Sequence, residues 1–523
     1  MFDWLPSWAL RVVLFFANRF DFIGKWINAK IINQAVGVCW TRPHPWSTVH
    51  NYTSWTALSD THWSARHLAA VHMVDLPDIG GVQKLFERPA GGQQRLCKKS
   101  TCLFPAFAQY LTDGFIRTRM PNESAGESDD LRRQNTSNHQ IDLCPLYGRT
   151  ADQTDVLRLR SESRGEKGRL KSQFVRSEEY APFLYAADGT IEDAFKTLDL
   201  PLGLDQVTDP GMRSKLFAFG GDRANANPQV SMINTLLLRE HNRLAGAVEH
   251  DNPTWEDERV FQTARNVLIV IFIKIVIDEY INHIAPSPFR LRADATVGYT
   301  APWYRPNWIT TEFSLLYRWH SLVPDKVRWG AALVDVGTTF FRNDLLLADG
   351  LLQAFAGFGG EIAGQLGARN STAALLPVEL AGINQGRICS VGPYCDYREH
   401  VGLKRPESFG EITKDTEVIH LLRDLYQTPA RIEFYPGLFV EEPVTNSPLP
   451  PLILRMVAVD AFSQALTNPL LSQHVFNEGT FSEVGWRAIE TTGSLSDLLD
   501  RNSPGGLKGT RVSMTRPDWK YAW

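Results

Sequence analysis

Apolar residues recur at helical spacing along most of the chain, whereas the alternating pattern of a half-buried strand is scarce. The run VLIVIFIKIVI, residues 267–277, is apolar except for Lys274. A membrane-spanning helix needs about 18 or more apolar residues, so this shorter run predicts a buried core helix. The pattern as a whole predicts a mainly α protein, and no linker divides it clearly.

Residues 101–119 predict a second helix, which starts after Pro105 and carries Phe and Leu side chains on one face. Gln109 and Asp113 are four residues apart and therefore lie together on that helix. Such a polar pair is found at exposed edges and in buried sites, and the residues alone leave both readings open. Residues 220–235 predict a turn-rich loop that enters another helix.

The stretch TEFSLLYRWHSLVP, residues 311–324, predicts a helix that continues through His320. Phe313, Leu316, Tyr317 and His320 stand at positions i, i+3, i+4 and i+7, so they share one face. A histidine on an apolar face is more often a hydrogen-bonded core residue than a metal ligand. Evidence for a ligand therefore has to come from other parts of the chain.

The N-terminal segment differs in composition from the rest and predicts a small layer, residues 1–45, ahead of a main domain at residues 46–523. Its beginning, MFDWLPSWALRVVLFFANRF, lacks the basic start and the cleavage site of a signal peptide. Arg11, Arg19 and Asp21 interrupt the apolar residues, which form a short amphipathic series. Such a series is typical of a helix in a membrane interface or of a helix packed on the core.

Composition and charge exclude few functions. The 523 residues are 43% hydrophobic and 21% charged, as in ordinary globular proteins, and the net charge of -4 does not favour a nucleic-acid partner. The six cysteines form no CxxC pair, which favours buried thiols over a metal site. His62, His67 and His72 are five residues apart, do not align on one helix face and do not predict a metal site.

The sequence makes a structural prediction for each of two further short segments. RIEFYPGLFVEEP, residues 431–443, is predicted to be broken at Pro436 and Gly437. The triplet Arg239-Glu240-His241, taken alone, is typical of a salt-bridged helix surface.

Nine segments, in order from about residue 45 to residue 502, resemble the animal-type haem peroxidases and, within them, the cyclooxygenases and related fatty-acid dioxygenases. They are YTSWTALSD, FPAFAQYLTDGF, IDLCPLYG, LLLREHNRL, VFQTARNVLIVIFIKIVIDEYINHI, TEFSLLYRWHSLVPD, YREHVGLKRPESFGEIT, EFYPGLFVEE and FSEVGWRAIETTGSLSDLLDRN. The resemblance implies a large helical haem-peroxidase domain and likens the N-terminal apolar helices to that family's monotopic membrane-binding layer. It also implies haem b, held non-covalently apart from an axial histidine.

The resemblance makes His320 the axial ligand of the haem iron, which leaves the other face of the iron open for peroxide. It makes Tyr317 the tyrosine that becomes a radical and Tyr280 its hydrogen-bond partner. Trp319 lies in the same YxWH motif, and Tyr435 matches a tyrosine near the haem. In such an enzyme the haem carries out the oxidation, and the protein positions the haem, the tyrosine and the substrate.

The chain departs from the family in the distal helix of the expected haem site and in the YxWH motif. Gln109 matches the family's distal glutamine, but Asp113 stands where the distal histidine is expected, and Arg318 stands where cyclooxygenases have histidine. A carboxylic acid of pKa about 4 is a poorer acid at neutral pH unless burial raises its pKa. We therefore expect weakened or altered peroxidase activity.

GGDRANAN resembles the GDxRANEN motif of the bacterial and mammalian peroxidase branch, which makes Arg223 a candidate distal arginine. Thr112 and Ala226 stand where the mammalian enzymes carry carboxylates that esterify haem, so no covalent haem link is expected.

The expected substrate channel is altered as well. The acetylatable serine of cyclooxygenases falls at Ala461 or Ser463, and their channel-mouth tyrosine falls at Ser287. Their channel-mouth arginine has Arg42 as its nearest candidate. A fatty-acid carboxylate favours such an arginine partner, so the resemblance implies a fatty-acid dioxygenase but does not establish prostaglandin synthesis.

Three hypotheses follow. The first is a haem enzyme that oxygenates an unsaturated fatty acid through a Tyr317 radical, with O2 and a hydroperoxide as co-substrates. The second is a peroxidase that oxidises small electron donors, favoured by Arg223. The third is a haem-binding homologue with little turnover, favoured by Asp113. For each, a cytoplasmic or peripheral-membrane location is expected, and a homodimer is consistent with the resemblance.

Overall fold

The computed structural model describes residues 6–38, residue 60 and residues 62–523. In the first half the α-helices are α1 Ser7–Arg19, α2 Asp21–Gly37, α3 Ile79–Gln83, α4 Leu103–Asp113, α5 Cys144–Tyr147, α6 Ala151–Leu157, α7 Pro210–Arg213, α8 Pro228–Asp251, α9 Asp257–Ile275 and α10 Asn282–Ile284. In the second half they are α11 Thr296–Tyr299, α12 Thr311–Leu316, α13 Asn343–Asp349, α14 Leu351–Gly360, α15 Leu376–Ile388, α16 Tyr394–His400, α17 Thr416–Tyr426, α18 Phe434–Val440, α19 Pro451–Leu466, α20 Glu478–Phe481, α21 Glu483–Thr491 and α22 Leu495–Asn502.

Strands are few and short, and each forms a two-stranded antiparallel pair. Their bounds are β1 Leu96–Thr101, β2 Gln173–Val175, β3 Glu178–Tyr180, β4 Lys326–Trp329, β5 Ala332–Asp335 and β6 Ile362–Gly364. β1 pairs with β6, β2 with β3 and β4 with β5. The mainly α class predicted from the periodicity is therefore confirmed.

The core is built around α8 and α9, which pack against each other. The apolar run at 267–277 is buried, as predicted for a core helix. By length and composition the helical stretch Asp257–Ile284 could cross a membrane, but 78% of its apolar window lies inside the protein. Burial of this helix against its neighbours removes a large apolar surface from water, which stabilises the fold.

A single π-helical turn, Val276–Ile281, follows α9 and contains Tyr280. Phe272 and Tyr280 both contact Phe107, with ring centroids 5.4 and 5.5 Å away. Eight residues of regular α-helix would leave two side chains about 80° apart around the axis, at about 100° per residue. The extra residue of the π turn reduces this offset to about 20°, so both rings face α4.

The N-terminal helices form a layer on the main body. α2 packs on α19, and Asn28 exchanges two hydrogen bonds of 3.0 Å with the backbone of Arg292. The opposite faces of α1 and α2 carry large exposed apolar side chains, among them Trp8 at 70%, Phe15 at 65% and Phe22 at 72% exposure. One face of these helices therefore packs on the core, as one of the two alternatives predicts, and a position in a membrane interface stays a prediction.

Residues 431–443 correct one prediction. α18 runs through Pro436 and Gly437 without a break. Pro436 stands in the first helical turn, where the backbone N–H groups have no intrahelical partner, so the missing N–H costs little.

The triplet Arg239-Glu240-His241 is buried rather than on the surface, which corrects a second prediction. Glu240 accepts hydrogen bonds from Asn502 (2.7 Å) and Arg501 (2.9 Å) across the core. These partners lie far away in sequence, so the local pattern does not reveal them.

Candidate active site

The helix that carries Tyr317 ends earlier than predicted. α12 ends at Leu316, and Trp319 (φ -88°, ψ 48°) is not helical, so Tyr317 and His320 do not share a helix face. The rings of Tyr317 and Trp319 stack with centroids 4.7 Å apart. Residues i and i+2 point to different sides of an α-helix, so this aromatic contact requires the chain to leave the helix.

His320 faces a buried carboxylate. Its Nδ1 lies 3.1 Å from Oε2 of Glu379, on α15, although the two atoms do not align as a hydrogen bond of standard geometry. Glu379 is held by two hydroxyl donors, Tyr435 (2.6 Å) and Ser371 (2.7 Å). With Nδ1 facing a carboxylate, Nε2 is the nitrogen available to a metal, an arrangement common among metal-binding histidines. Tyr435 is thus linked to His320 through Glu379.

Tyr317 and Tyr280 form a buried pair of phenols. Burial raises the pKa of both hydroxyls, and each phenol further shifts the pKa of the other. Neither hydroxyl has a hydrogen-bond partner of standard geometry within the described chain. Phe104 packs on Tyr280 at a centroid distance of 5.6 Å and on Trp319 at 5.5 Å, so α4 covers the pair.

Gln109 and Asp113 lie on α4 as predicted, and the polar pair faces a buried site rather than an exposed edge. Asn227, which caps α8, donates a 3.1 Å hydrogen bond to Gln109. Arg223 lies 4.0 Å from Asp113 and also donates to the carbonyl of Ile116 (2.6 Å). The loop at 220–235 thereby brings Arg223 and Asn227 to the side chains on α4.

Burial raises the pKa of Asp113 to about 7, a rise that Arg223 and Gln109 oppose and the nearby Asp222 carboxylate increases. The side chain is 10% exposed, and its Oδ2 is buried with no hydrogen-bond partner in the described chain. A carboxyl group with this pKa exchanges protons readily at neutral pH, as a general acid–base requires.

Buried polar atoms without hydrogen-bond partners concentrate in this region of the described chain. They include Oη of Tyr280 and Tyr317, Nε of Arg318, Nε1 of Trp319, Nδ1 of His320 and Oδ2 of Asp113. Each such atom costs on the order of 1–3 kcal/mol, so a cluster of them is typical of a functional site. The pKa of Arg318 is lowered by burial and also responds to Tyr435, Arg223 and Glu379, which places Arg318 among these groups.

A buried histidine–aspartate pair lies near Tyr317. Asp460, on α19, is 3.2 Å from Nε2 of His67, and both side chains are fully buried. The negative charge of Asp460 contributes to the raised pKa of Tyr317. His62 and His72 have other neighbours, Asp60 (2.6 Å) and Ser390 (3.2 Å), so the three histidines of the N-terminal cluster lie in separate environments.

The channel residues expected from the resemblance have different surroundings. Ser287 lines a cavity of about 670 Å³ between the N-terminal helices and the body. Ala461 is buried on α19, and Ser463 donates to the carbonyl of Val459 (2.8 Å). Arg42 lies outside the described residues.

Sequence reasoning missed Glu379 altogether. It lies in LPVELAGIN, 59 residues after His320 and in no motif. Two signals were available, a lone acidic residue in the apolar first half of this helix and a histidine that required a partner for Nδ1. The five described cysteines, Cys97, Cys102, Cys144, Cys389 and Cys395, are free and buried, as predicted.

Comparison with known proteins places the chain in a family. The model of the animal haem peroxidase family matches residues 104–513. Prostaglandin G/H synthase 2 of Oryctolagus cuniculus is 30% identical over 477 residues, covering 88% of this chain and 74% of that protein. Prostaglandin G/H synthase 1 of Mus musculus is 29% identical over 473 residues, covering 88% and 74%.

Solved structures support the fold. The fatty acid alpha-dioxygenase of Oryza sativa has a TM-score of 0.70 at 17% identity, covering 98% of both chains. Peroxidase A from Dictyostelium discoideum has a TM-score of 0.67 at 18% identity, covering 85% of this chain and 92% of the other.

The residues present fit the haem that this family binds. His320 has one ring nitrogen available, its chain neighbour Trp319 packs between Phe104 and Tyr317, and an ionisable group with a near-neutral pKa lies in the same cluster of unpaired polar atoms. The chain is an oxidoreductase that belongs to the animal haem peroxidase family and is homologous to the prostaglandin G/H synthases.

Proposed function

We propose that the protein is a haem-dependent fatty acid oxygenase that works through a radical on Tyr317. The observation that carries this proposal is the buried Tyr317–Tyr280 pair beside His320. The names of the relatives and of the solved neighbours, prostaglandin G/H synthase and fatty acid alpha-dioxygenase, add support for a lipid substrate.

Haem, when bound, supplies the peroxide-driven oxidation that a phenol cannot achieve alone. His320 would hold the haem iron through Nε2, while Glu379 orients the imidazole ring from Nδ1. Asp113 takes a proton from the peroxide and returns it to the leaving oxygen, which its pKa of about 7 allows. Arg223 and Gln109 limit how far that pKa rises.

Tyr317 would give up one electron and its phenolic proton, which form one of the two hydrogen equivalents that reduce the hydroperoxide to an alcohol and water, and would become a tyrosyl radical. The radical takes a hydrogen atom from a weak C–H bond of an unsaturated fatty acid, which restores the phenol and leaves a carbon radical. O2 adds to that carbon, and the peroxyl radical takes a hydrogen atom back from Tyr317. The lipid leaves as a hydroperoxide and the tyrosyl radical is regenerated. Tyr280 holds the phenol in place.

The protein acts at a membrane surface in this proposal. The exposed aromatic side chains on α1 and α2, Trp8, Phe15, Phe22 and Trp26, are suited to the headgroup region of a bilayer. A peripheral-membrane location would give the enzyme direct access to lipid substrates.

The test is oxygen uptake by the haem-reconstituted protein with linoleate and arachidonate, seeded with a trace of hydroperoxide. Uptake is expected in the wild type and in the control Tyr304→Phe, and it is expected to disappear in Tyr317→Phe. Oxidation of a small electron donor by hydroperoxide should survive in Tyr317→Phe, because Asp113 and His320 are intact. Oxygen uptake that persists in Tyr317→Phe would refute the radical mechanism.

A second function, oxidation of small donors by hydroperoxide, is favoured by the Asp113–Arg223 pair with its near-neutral pKa. Donor oxidation without any lipid-dependent oxygen uptake would support it. A bound haem with neither reaction would leave the third hypothesis, a haem-binding homologue.

A further inference from the structure

The cavity of about 670 Å³ lies between the N-terminal layer and the main body. It is lined by Leu10 of α1, Ile31 of α2, one face of α19 and part of the segment 281–291, from which Arg290 is absent. Its volume is in the range of sites that bind small molecules, about 300–1,000 Å³. Its walls are largely apolar, as an acyl chain requires.

Arg455, on α19, carries the one ionised side chain among the described lining residues. It is exposed, and it has no hydrogen-bond or ion-pair partner in the described part of the chain. Arg292, nearby in the fold, is instead paired with Asp21 at 2.8 Å. An unpaired guanidinium at the rim of an apolar cavity is suited to a carboxylate, which it can bind through two parallel hydrogen bonds.

The wall of the cavity extends from Arg455 to Ile281, a residue that adjoins Tyr280 in the chain. Ala458 and Phe462 also line it, and with Arg455 they stand at i, i+3 and i+7 on one face of α19. From Arg455 to Phe462 the helix rises about 10 Å. Phe462 is buried, and so is Ile281, which follows Tyr280 directly and forms part of the same wall.

We propose that Arg455 binds the carboxylate of the fatty acid at the outer end of this cavity, with the acyl chain running inward along α19. This inference rests on the proposed oxygenase function and names its carboxylate-binding residue. Because the carboxylate is held away from Tyr317, hydrogen is taken from a carbon in the middle of the chain, not from the carbon next to the carboxyl group.

The reverse orientation is disfavoured by charge. A carboxylate placed at the inner end would lie beside the buried side chains of Phe462 and Ile281, away from the guanidinium of Arg455. Burying an ionised carboxylate without a cationic partner is costly, because the low dielectric of the interior stabilises its charge poorly. The acyl chain meets no such penalty there.

The first experiment measures binding, which needs no turnover. A fluorescent fatty acid bound to the haem-reconstituted protein is displaced by linoleate or by linoleyl alcohol, which lacks the carboxylate. Arg455→Gln should weaken linoleate binding about tenfold to a hundredfold, the usual value of a hydrogen bond to a charged group. Binding of the alcohol should not change, which also shows that the variant is folded. Arg455→Lys should recover part of the loss.

Arg290→Gln is the matched control, because Arg290 is also exposed and lies between the lining residues Phe289 and Leu291 without lining the cavity itself. It should bind both ligands like the wild type. Equal linoleate binding in Arg455→Gln and Arg290→Gln would overturn the proposal. So would a parallel loss of linoleate and alcohol binding in Arg455→Gln, since Arg455 would then shape the cavity rather than hold a carboxylate.

The second experiment locates the oxygen in the product by mass spectrometry. Oxygen at a mid-chain carbon is expected, and oxygen at the carbon adjacent to the carboxyl group would overturn the orientation. The two proposals fail differently. If linoleate binding depends on Arg455 but no oxygen is taken up, the oxygenase proposal is refuted and the carboxylate site stands. If oxygen is taken up but linoleate binding does not depend on Arg455, the carboxylate site is refuted and the oxygenase proposal stands.

Discussion

Asp113 offers the sharpest test of the site. The variant Asp113→Asn replaces one carboxylate oxygen by an amide nitrogen and so removes the group that can exchange a proton. The pKa of Asp113 is raised from 3.8 to about 7, mainly by burial. Ionising the folded protein at this group therefore costs on the order of 4 kcal/mol more than in water. The group is protonated below pH 7 and ionised above it, and only the ionised form can accept a proton from peroxide.

The rate of donor oxidation by hydroperoxide should therefore rise with pH through a midpoint near 7, whereas a solvent-exposed aspartate would give a midpoint near 4. Asp113→Asn should lose this pH dependence and slow the reaction about 100-fold to 10,000-fold, the usual contribution of a positioned acid–base group. Asp113→His should restore much of the rate, with a midpoint near 6.5. Stopped-flow kinetics from pH 5 to pH 9 would measure all three.

Two neighbouring variants test the electrostatics in opposite directions. Asp222→Asn removes a negative charge that raises the pKa of Asp113, so the midpoint should move to lower pH. Arg223→Gln removes a positive charge that lowers that pKa, so the midpoint should move to higher pH. Shifts in the same direction, or a pH profile that Asp113→Asn leaves unchanged, would refute the assignment of Asp113 as the proton-transfer group.

The raised pKa of Asp113 also makes the stability of the protein depend on pH, which can be measured without peroxide. Because the folded pKa of Asp113 lies above the unfolded value, the native state binds more protons between about pH 4 and pH 7. The contribution of Asp113 to the free energy of unfolding is therefore fully present below about pH 4 and is lost as the pH rises through about 7. Asp113→Asn should therefore unfold at a higher temperature than the wild type at pH 8, and the difference should shrink at pH 5. A constant difference would contradict the raised pKa.

Two further predictions concern the proximal side. Glu379→Gln removes the charge 3.1 Å from Nδ1 of His320, so the reduction potential of the bound haem should rise by roughly 60–120 mV, a tenfold to hundredfold change in a one-electron equilibrium. Spectroelectrochemistry would measure it, and an unchanged potential would show that the carboxylate does not act on the ligand. Gly382→Ala would place a Cβ 2.5 Å from Cζ of Tyr435, which should destabilise the protein by about 1–3 kcal/mol. Gly360→Ala, where no atom lies within 4 Å of the new Cβ, is the control, and equal thermal unfolding of both variants would contradict the packing argument.

Periodicity predicts the parts of the fold that depend on local sequence. The buried run at 267–277 and the shared face of Gln109 and Asp113 both follow from residue spacing, and both are present. From the sequence, Asp113 is expected to be an effective acid only if burial raises its pKa. Residue spacing along one helix does not show whether that side chain is buried. The structure supplies that burial.

The misses have two kinds of cause, local departures from regular helix geometry and contacts between residues far apart in the chain. The helix at Tyr317 ends early because the stacking of Tyr317 on Trp319 requires a non-helical turn. Glu379 and Arg455 stand in segments without motifs, and their significance comes from what the fold places beside them. Sequence spacing along one element carries no information about such partners.

The π-helical turn at Val276–Ile281 also makes the chain unusually sensitive to its length at this point. Deleting one residue there would turn the segment into a regular α-helix, with every backbone hydrogen bond still available. The same deletion would rotate all that follows by about 100° about the helix axis and turn Tyr280 away from Tyr317. Loops commonly tolerate the deletion of one residue. Here the same deletion would separate Tyr280 from Tyr317 although the helix remains. A related sequence that lacks this extra residue is therefore expected to have lost the pair.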